Sequence, residues 1–236
     1  MVRTMFFDAG EVLVHMPPWH DRIVRALRGL GIEADEARVH DAVAAGERWL
    51  AARPHQDLLP TFAAEEHHTL GHLEVVARAL AIDGLDVHYL RDTCYYIAAA
   101  EVFADAAPAI RAVRALGLGT GVISNAPPSL RSLLVRTDLA PLFDTVTLSS
   151  DVGVMKPGEG IYRAALERAG VGPDEAAFAD DVPANVDAAL ALGFAQAWVI
   201  DRDGHARGRA DRLPNLSAVA ERLTAGRPAA RIAPEP

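Results

Sequence analysis

The 236-residue chain is poor in cysteine and contains no long hydrophobic run. A single cysteine, Cys94, excludes a disulfide framework and a cysteine-based metal cluster. No apolar run approaches the roughly 20 residues that a membrane-spanning helix requires. The first residues do not form a signal-peptide pattern, because Asp8 and Glu11 interrupt them. These absences predict a cytoplasmic protein with no membrane partner.

Positive charge is also scarce, and lysine is almost missing. The chain has 32 acidic and 23 basic residues and a formal net charge of −9. Because duplex nucleic acids bind basic patches, this balance predicts no nucleic-acid partner. Lys156 is the only lysine among the basic residues. In a chain that otherwise uses arginine, it indicates either chance survival or a site that needs a compact ammonium instead of a planar guanidinium.

Five short apolar runs each end at a polar residue. Runs of this length between helical stretches are typical of buried parallel strands. They occupy residues 4–7, 121–123, 146–148, 177–179 and 197–200, and the polar residues that follow are Asp8, Ser124, Ser149, Asp180 and Asp201. Ligands of such sheets bind beyond the carboxyl ends of the strands, so we expect these side chains to converge on one edge.

The stretches between these runs have helical periodicity and clear ends. Helices are predicted over 106–116, 159–169 and 183–192, and each is followed by a glycine, which commonly ends a helix. Strands that alternate with helices predict a doubly wound α/β sheet.

Residues 16–100 differ from this pattern, since apolar residues recur there at helical spacing and no strand-like run occurs. We interpret this segment as an insertion of about four helices.

His68 and His72 lie four residues apart within it, and a solvated helix face is favoured over a metal site. The predicted domains are an α/β core of residues 1–15 and 101–225, a helical cap of residues 16–100, and a flexible tail of residues 226–236.

Three of the strand-end positions carry residue types that suit phosphate chemistry. A carboxylate at Asp8, after a buried strand, costs free energy unless a cation pairs with it, so Asp8 is either a nucleophile or a turn residue. Ser124 and Asn125 either hold a phosphoryl oxygen or cap a helix. Asp180 and Asp181 either bind Mg²⁺ or form a solvated acidic turn.

Four segments carry these residues in order along the chain. They are FFDAGEVL at 6–13, VISNAP at 122–127, VMKPGEGIY at 154–162 and FADDVPANVDAALALGF at 178–194. Together they resemble the four motifs of the haloacid dehalogenase-like hydrolase superfamily, in its phosphatase branch. The resemblance implies a Rossmann-like parallel core with a small all-helical cap inserted after the first motif.

The same resemblance implies a role for each matching residue. Asp8 would be the catalytic nucleophile that forms an aspartyl phosphate, and Lys156 would be catalytic and bind phosphate. Phosphate would also be bound by Ser124 and Asn125. The implied Mg²⁺ ligands are Asp8, the backbone oxygen of Gly10, Asp180 and Asp181, with Asn185 orienting the acidic loop. The implied partner is a small-molecule phosphate ester, and the implied assembly is a monomer or homodimer.

Gly10 departs from the family pattern, in which a second aspartate acts as general acid at this position. Such help typically accelerates a reaction by about 10²–10⁴-fold. The substrate could have a good leaving group, another residue could replace the acid, or the enzyme could be slow. Glu11, His15 and His20 are the candidate replacements, and Glu11 is alternatively a loop residue that points to solvent.

Two other functions are compatible with the fold. A 2-haloacid dehalogenase shares the nucleophile but, as the resemblance implies, needs no metal. A phosphate-binding or scaffold protein without catalysis would explain Gly10. The paired acids Asp180 and Asp181 favour phosphoryl transfer over dehalogenation. The set of Asp8, Lys156 and Asp180 argues against a binder, because a binder needs no nucleophile.

Overall fold

The computed structural model describes residues 1–33 and 35–225. The tail predicted over 226–236 lies outside the described residues. Within the described ranges, no helix combines the length and apolar character needed to cross a membrane.

Strands and helices alternate over most of the described chain. In chain order they are β1 Thr4–Phe7, β2 Val14–His15, α1 Trp19–Gly29, α2 Glu36–Ala51, α3 Phe62–Leu80, α4 Val87–Cys94, α5 Tyr96–Ala99, β3 Glu101–Val102, α6 Ala106–Ala115, β4 Gly119–Ser124, α7 Leu130–Arg136, β5 Thr145–Leu148, α8 Ser149–Val152, α9 Glu159–Ala169, β6 Ala176–Asp180, α10 Pro183–Ala191, β7 Gln196–Ile200, β8 Arg212–Leu213 and α11 Val219–Ala225.

Six strands form one parallel sheet in the order β5-β4-β1-β6-β7-β8. The five predicted strands are all present, and so are the three predicted helices, with Gly117, Gly170 and Gly193 in the left-handed conformation after their ends. Strand β8 was not predicted, because two residues are too few to produce a periodic signal.

Alternate side chains of the central strand β1 enter opposite hydrophobic layers. Met5 and Phe7 pack in a cluster that includes Ile110 of α6 and Leu133 of α7. Phe6 packs on the other face in a cluster with residues of α9 and α10. Helices therefore cover both faces of the sheet, which confirms the predicted doubly wound α/β class.

Residues 19–99 contain helices and no strand among those described, and helices α1 to α4 share a separate hydrophobic cluster. Polar side chains begin three of these helices, since Asp35, Thr61 and Asp86 accept hydrogen bonds from backbone N–H groups of the first turn. The segment is flanked by β2 and β3, which pair in an antiparallel ribbon. This ribbon lies at the two predicted domain boundaries, and the assignment of the segment as a cap stays a prediction.

The solvated face expected for two histidines of α3 is wrong. His68 and His72 are both buried, and their rings pack edge-on against Trp49 and Trp19. Burial lowers the pKa of His72 to about 4, and the nearby charge of Arg22 contributes. The two histidines do share one face of the helix, but the aromatic side chains that cover this face come from the separate helices α1 and α2.

Candidate active site

The order of strands brings three predicted site residues to one edge of the sheet. Strand β1 lies between β4 and β6, with Phe7 opposite Val122 and Ala179. Asp8 follows β1, Ser124 ends β4 and Asp180 ends β6. All three side chains are buried, and Asp8 is anchored by its backbone N–H, which donates to Ala179 at 2.8 Å.

Lys156 reaches this group from the loop between α8 and α9. Its ammonium lies 2.8 Å from Oδ1 of Asp8 and 2.6 Å from Oδ2 of Asp180, and it donates to the carbonyl of Ile123 at 3.0 Å. Burial lowers the pKa of this lysine, but the charges of Asp8 and Asp180 outweigh burial, so the pKa is raised. The single lysine of the chain is therefore a buried cation held between two carboxylates.

The side chain of Asn125 is bonded to the backbone of the lysine loop. Its Oδ1 accepts from the N–H of Lys156 at 2.7 Å, and its Nδ2 donates to the carbonyl of the same residue at 3.0 Å. Both ends of the amide are thus engaged in positioning Lys156. A direct contact of the Asn125 side chain with phosphate would compete with these bonds. The hydroxyl of Ser124, in contrast, lies beside Asp8, and both residues line one cavity.

The acidic loop after β6 is held by Asn185. The side-chain amide of Asn185 donates to both oxygens of Asp180 at 3.0 and 3.1 Å, and the N–H of Val182 donates to Oδ1 at 2.8 Å. Tyr162 donates in turn to the carbonyl of Asn185 at 2.9 Å. The hydrogen bonds of Asn185 therefore fix the orientation of the Asp180 carboxylate.

Three carboxylates come together at this edge. Asp8, Asp180 and Asp181 each offer an oxygen within 4.8 Å of the others. Burial raises the pKa of Asp181 to about 7, with Asp8 and Asp180 contributing through their charge. Burial also raises the pKa of Asp8, and it prevails over the opposing effect of Lys156. The donor set is entirely oxygen and strongly anionic, so these three residues could hold a hard divalent cation.

Gly10 lines a cavity of 210 Å³ together with Asp8 and Ser124. A Cβ atom built on Gly10 would meet no heavy atom within 4 Å. Crowding therefore does not explain the missing aspartate, and a side chain at this position would have room.

The three candidate replacements for the missing acid are engaged elsewhere. The carboxylate of Glu11 accepts from the N–H of Met16 at 3.0 Å and lies 3.0 Å from Nδ1 of His15. Glu11 and His15 line a neighbouring cavity that also contains Asp181. His20 pairs with the adjacent Asp21.

Two residues of the helical segment were not recognised in the sequence and lie at the Asp8 cavity. Asp57, in a short 3₁₀ turn, and Arg22 of α1 both line it. The guanidinium of Arg22 donates to the carbonyl of Cys94 and stacks on Trp19, and burial lowers its pKa to about 10. No local sequence motif distinguishes these residues, because their position depends on how the helices pack on the sheet edge.

The relatives of this chain among known proteins include phosphatases and (S)-2-haloacid dehalogenases. A phosphatase of Mycobacterium tuberculosis is 36% identical over 127 residues, which are 52% of this chain and 58% of that protein. The phosphoglycolate phosphatase of Rhodospirillum rubrum is 30% identical over 197 residues, which are 82% of this chain and 77% of that protein. The match to the first of these relatives thus spans little more than half its length, whereas the second is matched over most of its length.

Two solved structures have the same fold. A phosphatase of Thermococcus onnurineus superposes with a TM-score of 0.62 at 23% identity, over 94% of this chain and 98% of that one. An L-2-haloacid dehalogenase of Xanthobacter autotrophicus superposes with a TM-score of 0.64 at 21% identity, over 97% of this chain and all of that one. The family model for haloacid dehalogenase-like hydrolases matches residues 2–193. With this match over most of its length, the chain belongs to the haloacid dehalogenase-like hydrolase family.

Proposed function

We propose that this hydrolase is a Mg²⁺-dependent phosphatase that cleaves a small-molecule phosphate monoester through an aspartyl phosphate on Asp8. The observation that carries the proposal is the buried ammonium of Lys156 between Asp8 and Asp180, with Asp181 completing a cluster of three carboxylates. A charged group of this kind suits a phosphoryl group that carries negative charge throughout its transfer. Relatives that are phosphatases support the same function.

The donor set fits a magnesium ion. Three carboxylates share this edge with one ammonium, and Asp8, Asp180 and Lys156 are buried, so negative charge is in excess there. The buried Oδ1 of Asp8 lies 2.8 Å from the ammonium of Lys156, and this single cation faces three carboxylates. Asp8, Asp180, Asp181 and the carbonyl of Gly10 would hold the ion. When bound, it would neutralise charge on the phosphoryl oxygens.

The residues of the chain account for the two chemical steps. A carboxylate oxygen of Asp8 attacks phosphorus, and the bond from phosphorus to the ester oxygen breaks as the leaving group departs with its electron pair. Lys156 balances the negative charge of the transferring group, and the hydroxyl of Ser124 can donate to a phosphoryl oxygen. Water then attacks phosphorus, which releases phosphate and regenerates the Asp8 carboxylate.

The cavity and its fixed walls support catalysis by positioning. Asn125 holds the lysine loop and Asn185 holds Asp180 by hydrogen bonds to buried atoms. Groups locked in this way need little rearrangement when the substrate binds, which is how an active site stabilises developing charge.

The direct test is turnover of 4-nitrophenyl phosphate by the full chain. We expect activity with Mg²⁺, loss of activity with EDTA, and loss in Asp8→Asn with an unchanged circular dichroism spectrum. Beryllium fluoride with Mg²⁺ should label Asp8 as a stable phosphate analogue. A wild-type chain that neither turns over any phosphate ester nor traps beryllium fluoride would refute the proposal and favour a phosphate-binding or scaffold role.

A second candidate is hydrolysis of a 2-haloacid, and Gly10 is the observation that favours it. A halide leaves without a proton, so displacement on carbon by Asp8 would need no general acid. Release of chloride from 2-chloropropionate in EDTA, together with inactivity towards phosphate esters, would establish this function. The third carboxylate, Asp181, argues against it, because halide displacement gives no reason to collect three carboxylates.

A further inference from the structure

We infer that Asp57, carried by the helical segment, is the acid–base residue that serves the leaving group in place of the aspartate missing at Gly10. The inference rests on the proposed phosphatase function and adds to it a catalytic residue outside the four motifs. It assigns to the helical segment a part in the chemistry itself.

Asp57 shares the active-site cavity with the proposed nucleophile. It lines the 210 Å³ space bounded on the sheet side by Asp8, Gly10 and Ser124. Its side chain is only 13% exposed, so it is directed into the protein instead of bulk solvent. An acid that acts on the leaving oxygen must lie on the side of the phosphoryl group away from the nucleophile. A residue on a segment that closes over the sheet edge meets that requirement.

A hydrogen bond to the core fixes the turn that carries Asp57. The hydroxyl of Ser149, at the start of α8, donates to the carbonyl of Asp57 at 2.5 Å. The same hydroxyl accepts from the N–H of Ala126 at 3.1 Å, and Ala126 directly follows Asn125. The turn is therefore attached beside the loop that lines the phosphate site. This attachment gives Asp57 the fixed position that an acid–base group requires.

The charges around Asp57 allow it to hold a proton near neutral pH. Burial raises its pKa to about 7, with the charges of Asp8 and Glu65 contributing and that of Lys156 opposing. The side-chain neighbour of its carboxylate is His55, whose Nδ1 lies 3.2 Å away and also accepts a hydrogen bond from the backbone N–H of Asp57.

Arg22 lies at the wall of the same cavity but is engaged with other groups. Arg22 is bonded to the carbonyl of Cys94 and stacked on Trp19. Glu11 and His15, which the sequence offered as replacements, bind each other and line a different cavity. Among the described residues that line the Asp8 cavity, Asp8 and Asp57 carry carboxyl groups, and only Asp57 is not a proposed magnesium ligand.

The proton balance is complete with Asp57 in this role. As the ester bond breaks, the leaving oxygen takes the electron pair of that bond and the proton of the Asp57 carboxyl group. Asp57 is then a carboxylate. It accepts a proton from the water that attacks the aspartyl phosphate, and so it returns to the acid form as phosphate leaves.

The test compares kcat/KM for 2-phenylethyl phosphate and 4-nitrophenyl phosphate in Asp57→Asn. Expulsion of an alkoxide needs a proton, whereas 4-nitrophenolate leaves without one. We expect kcat/KM to fall about 100-fold or more for the alkyl ester and less than about 5-fold for the aryl ester. In the wild type, kcat/KM for the alkyl ester should fall above pH 7 as Asp57 loses its proton, and this fall should be absent in Asp57→Asn. Glu11→Gln is the matched control and should change neither ester selectively.

Rescue provides an independent measurement. Because Gly10 has space for a side chain, Gly10→Asp in the Asp57→Asn background should restore a large part of the alkyl-ester rate. A circular dichroism spectrum and an unfolding midpoint of Asp57→Asn like those of the wild type would show that the variant retains the fold.

The outcomes separate the two proposals. If the wild type hydrolyses no phosphate ester, including these two, and does not trap beryllium fluoride, the phosphatase function fails. If the wild type is active but Asp57→Asn lowers both esters equally, or a selective loss occurs in Glu11→Gln, the function stands and the role of Asp57 is overturned.

Discussion

Asn125 and Lys156 are joined by a reciprocal pair of hydrogen bonds. The N–H of Lys156 donates to Oδ1 of Asn125 at 2.7 Å, and Nδ2 of Asn125 donates back to the carbonyl of Lys156 at 3.0 Å. One amide side chain thus satisfies both backbone groups of the residue whose ammonium bridges the active-site carboxylates. The strand end at Ser124 and the lysine loop are coupled through this pair.

The first prediction concerns that pair. Asn125→Ala should lower kcat/KM for 4-nitrophenyl phosphate about 10–100-fold, since Lys156 would lose its fixed position, and should cost about 1–3 kcal/mol of unfolding free energy. Asn125→Asp keeps the acceptor but places a carboxylate oxygen against the carbonyl of Lys156, so it should not recover the lost stability. Urea unfolding and steady-state kinetics measure both quantities, and wild-type kinetics in Asn125→Ala would contradict the coupling.

The second prediction concerns the single lysine. Lys156→Arg should lower turnover at least about 100-fold, because a planar guanidinium cannot replace a compact ammonium that has three fixed oxygen partners. Lys156→Met should lower turnover further, since it removes the positive charge that compensates the buried carboxylates of Asp8 and Asp180. Kinetics with saturating Mg²⁺ and thermal unfolding provide the readouts. A near-normal rate in Lys156→Arg would show that charge alone suffices.

The third prediction concerns pH and the buried His72. Its pKa is lowered to about 4 in the folded chain, against an ordinary value of 6.5. The unfolded chain therefore binds more protons between these values, and stability should fall as the pH decreases from 6.5 to 4, by up to about 3 kcal/mol. His72→Leu should remove this part of the pH dependence in urea unfolding. His67→Leu, at an exposed position of the same helix, is the control and should leave it unchanged.

The fourth prediction concerns Gly46, where α2 and α3 approach closely. A Cβ atom there would lie 2.7 Å from the side chain of Val76 and would also overlap the ring of His72. Gly46→Ala should therefore destabilise the chain by about 1–3 kcal/mol, although alanine ordinarily favours a helix. Gly160→Ala in α9, where the nearest side-chain atom lies at 3.4 Å, should instead be neutral or stabilising by up to about 1 kcal/mol. Destabilisation of the same size in both variants would contradict the argument.

The strands and core helices were predictable because their signals are local. A buried strand such as β6 is apolar throughout, and a helix such as α9 has apolar spacing and a terminal glycine. The pairing of two-residue strands was not predictable. Strands β2, β3 and β8 have too few residues for a pattern, and they form only because other elements bring them together.

The site was predictable to the extent that it lies at strand ends. Asp8, Ser124 and Asp180 were expected at one edge, and the structure brings them there together with Lys156. The engagement of Asn125 with the lysine backbone was not expected. A residue type indicates which bonds it can form, whereas the partner is decided by the path of a loop 31 residues away in the chain.

The sequence by itself determined the doubly wound core, the carboxylates and serine at its edge, and the single lysine, because strand period, helix period and motif spacing are written along the chain. The tertiary structure decided which groups face the active-site cavity from the helical segment. Asp57 lies 49 residues after Asp8, and it reaches the same cavity because the hydroxyl of Ser149 holds its turn against the core. Such a contact depends on the packing of separate elements, and no local pattern of residues encodes it.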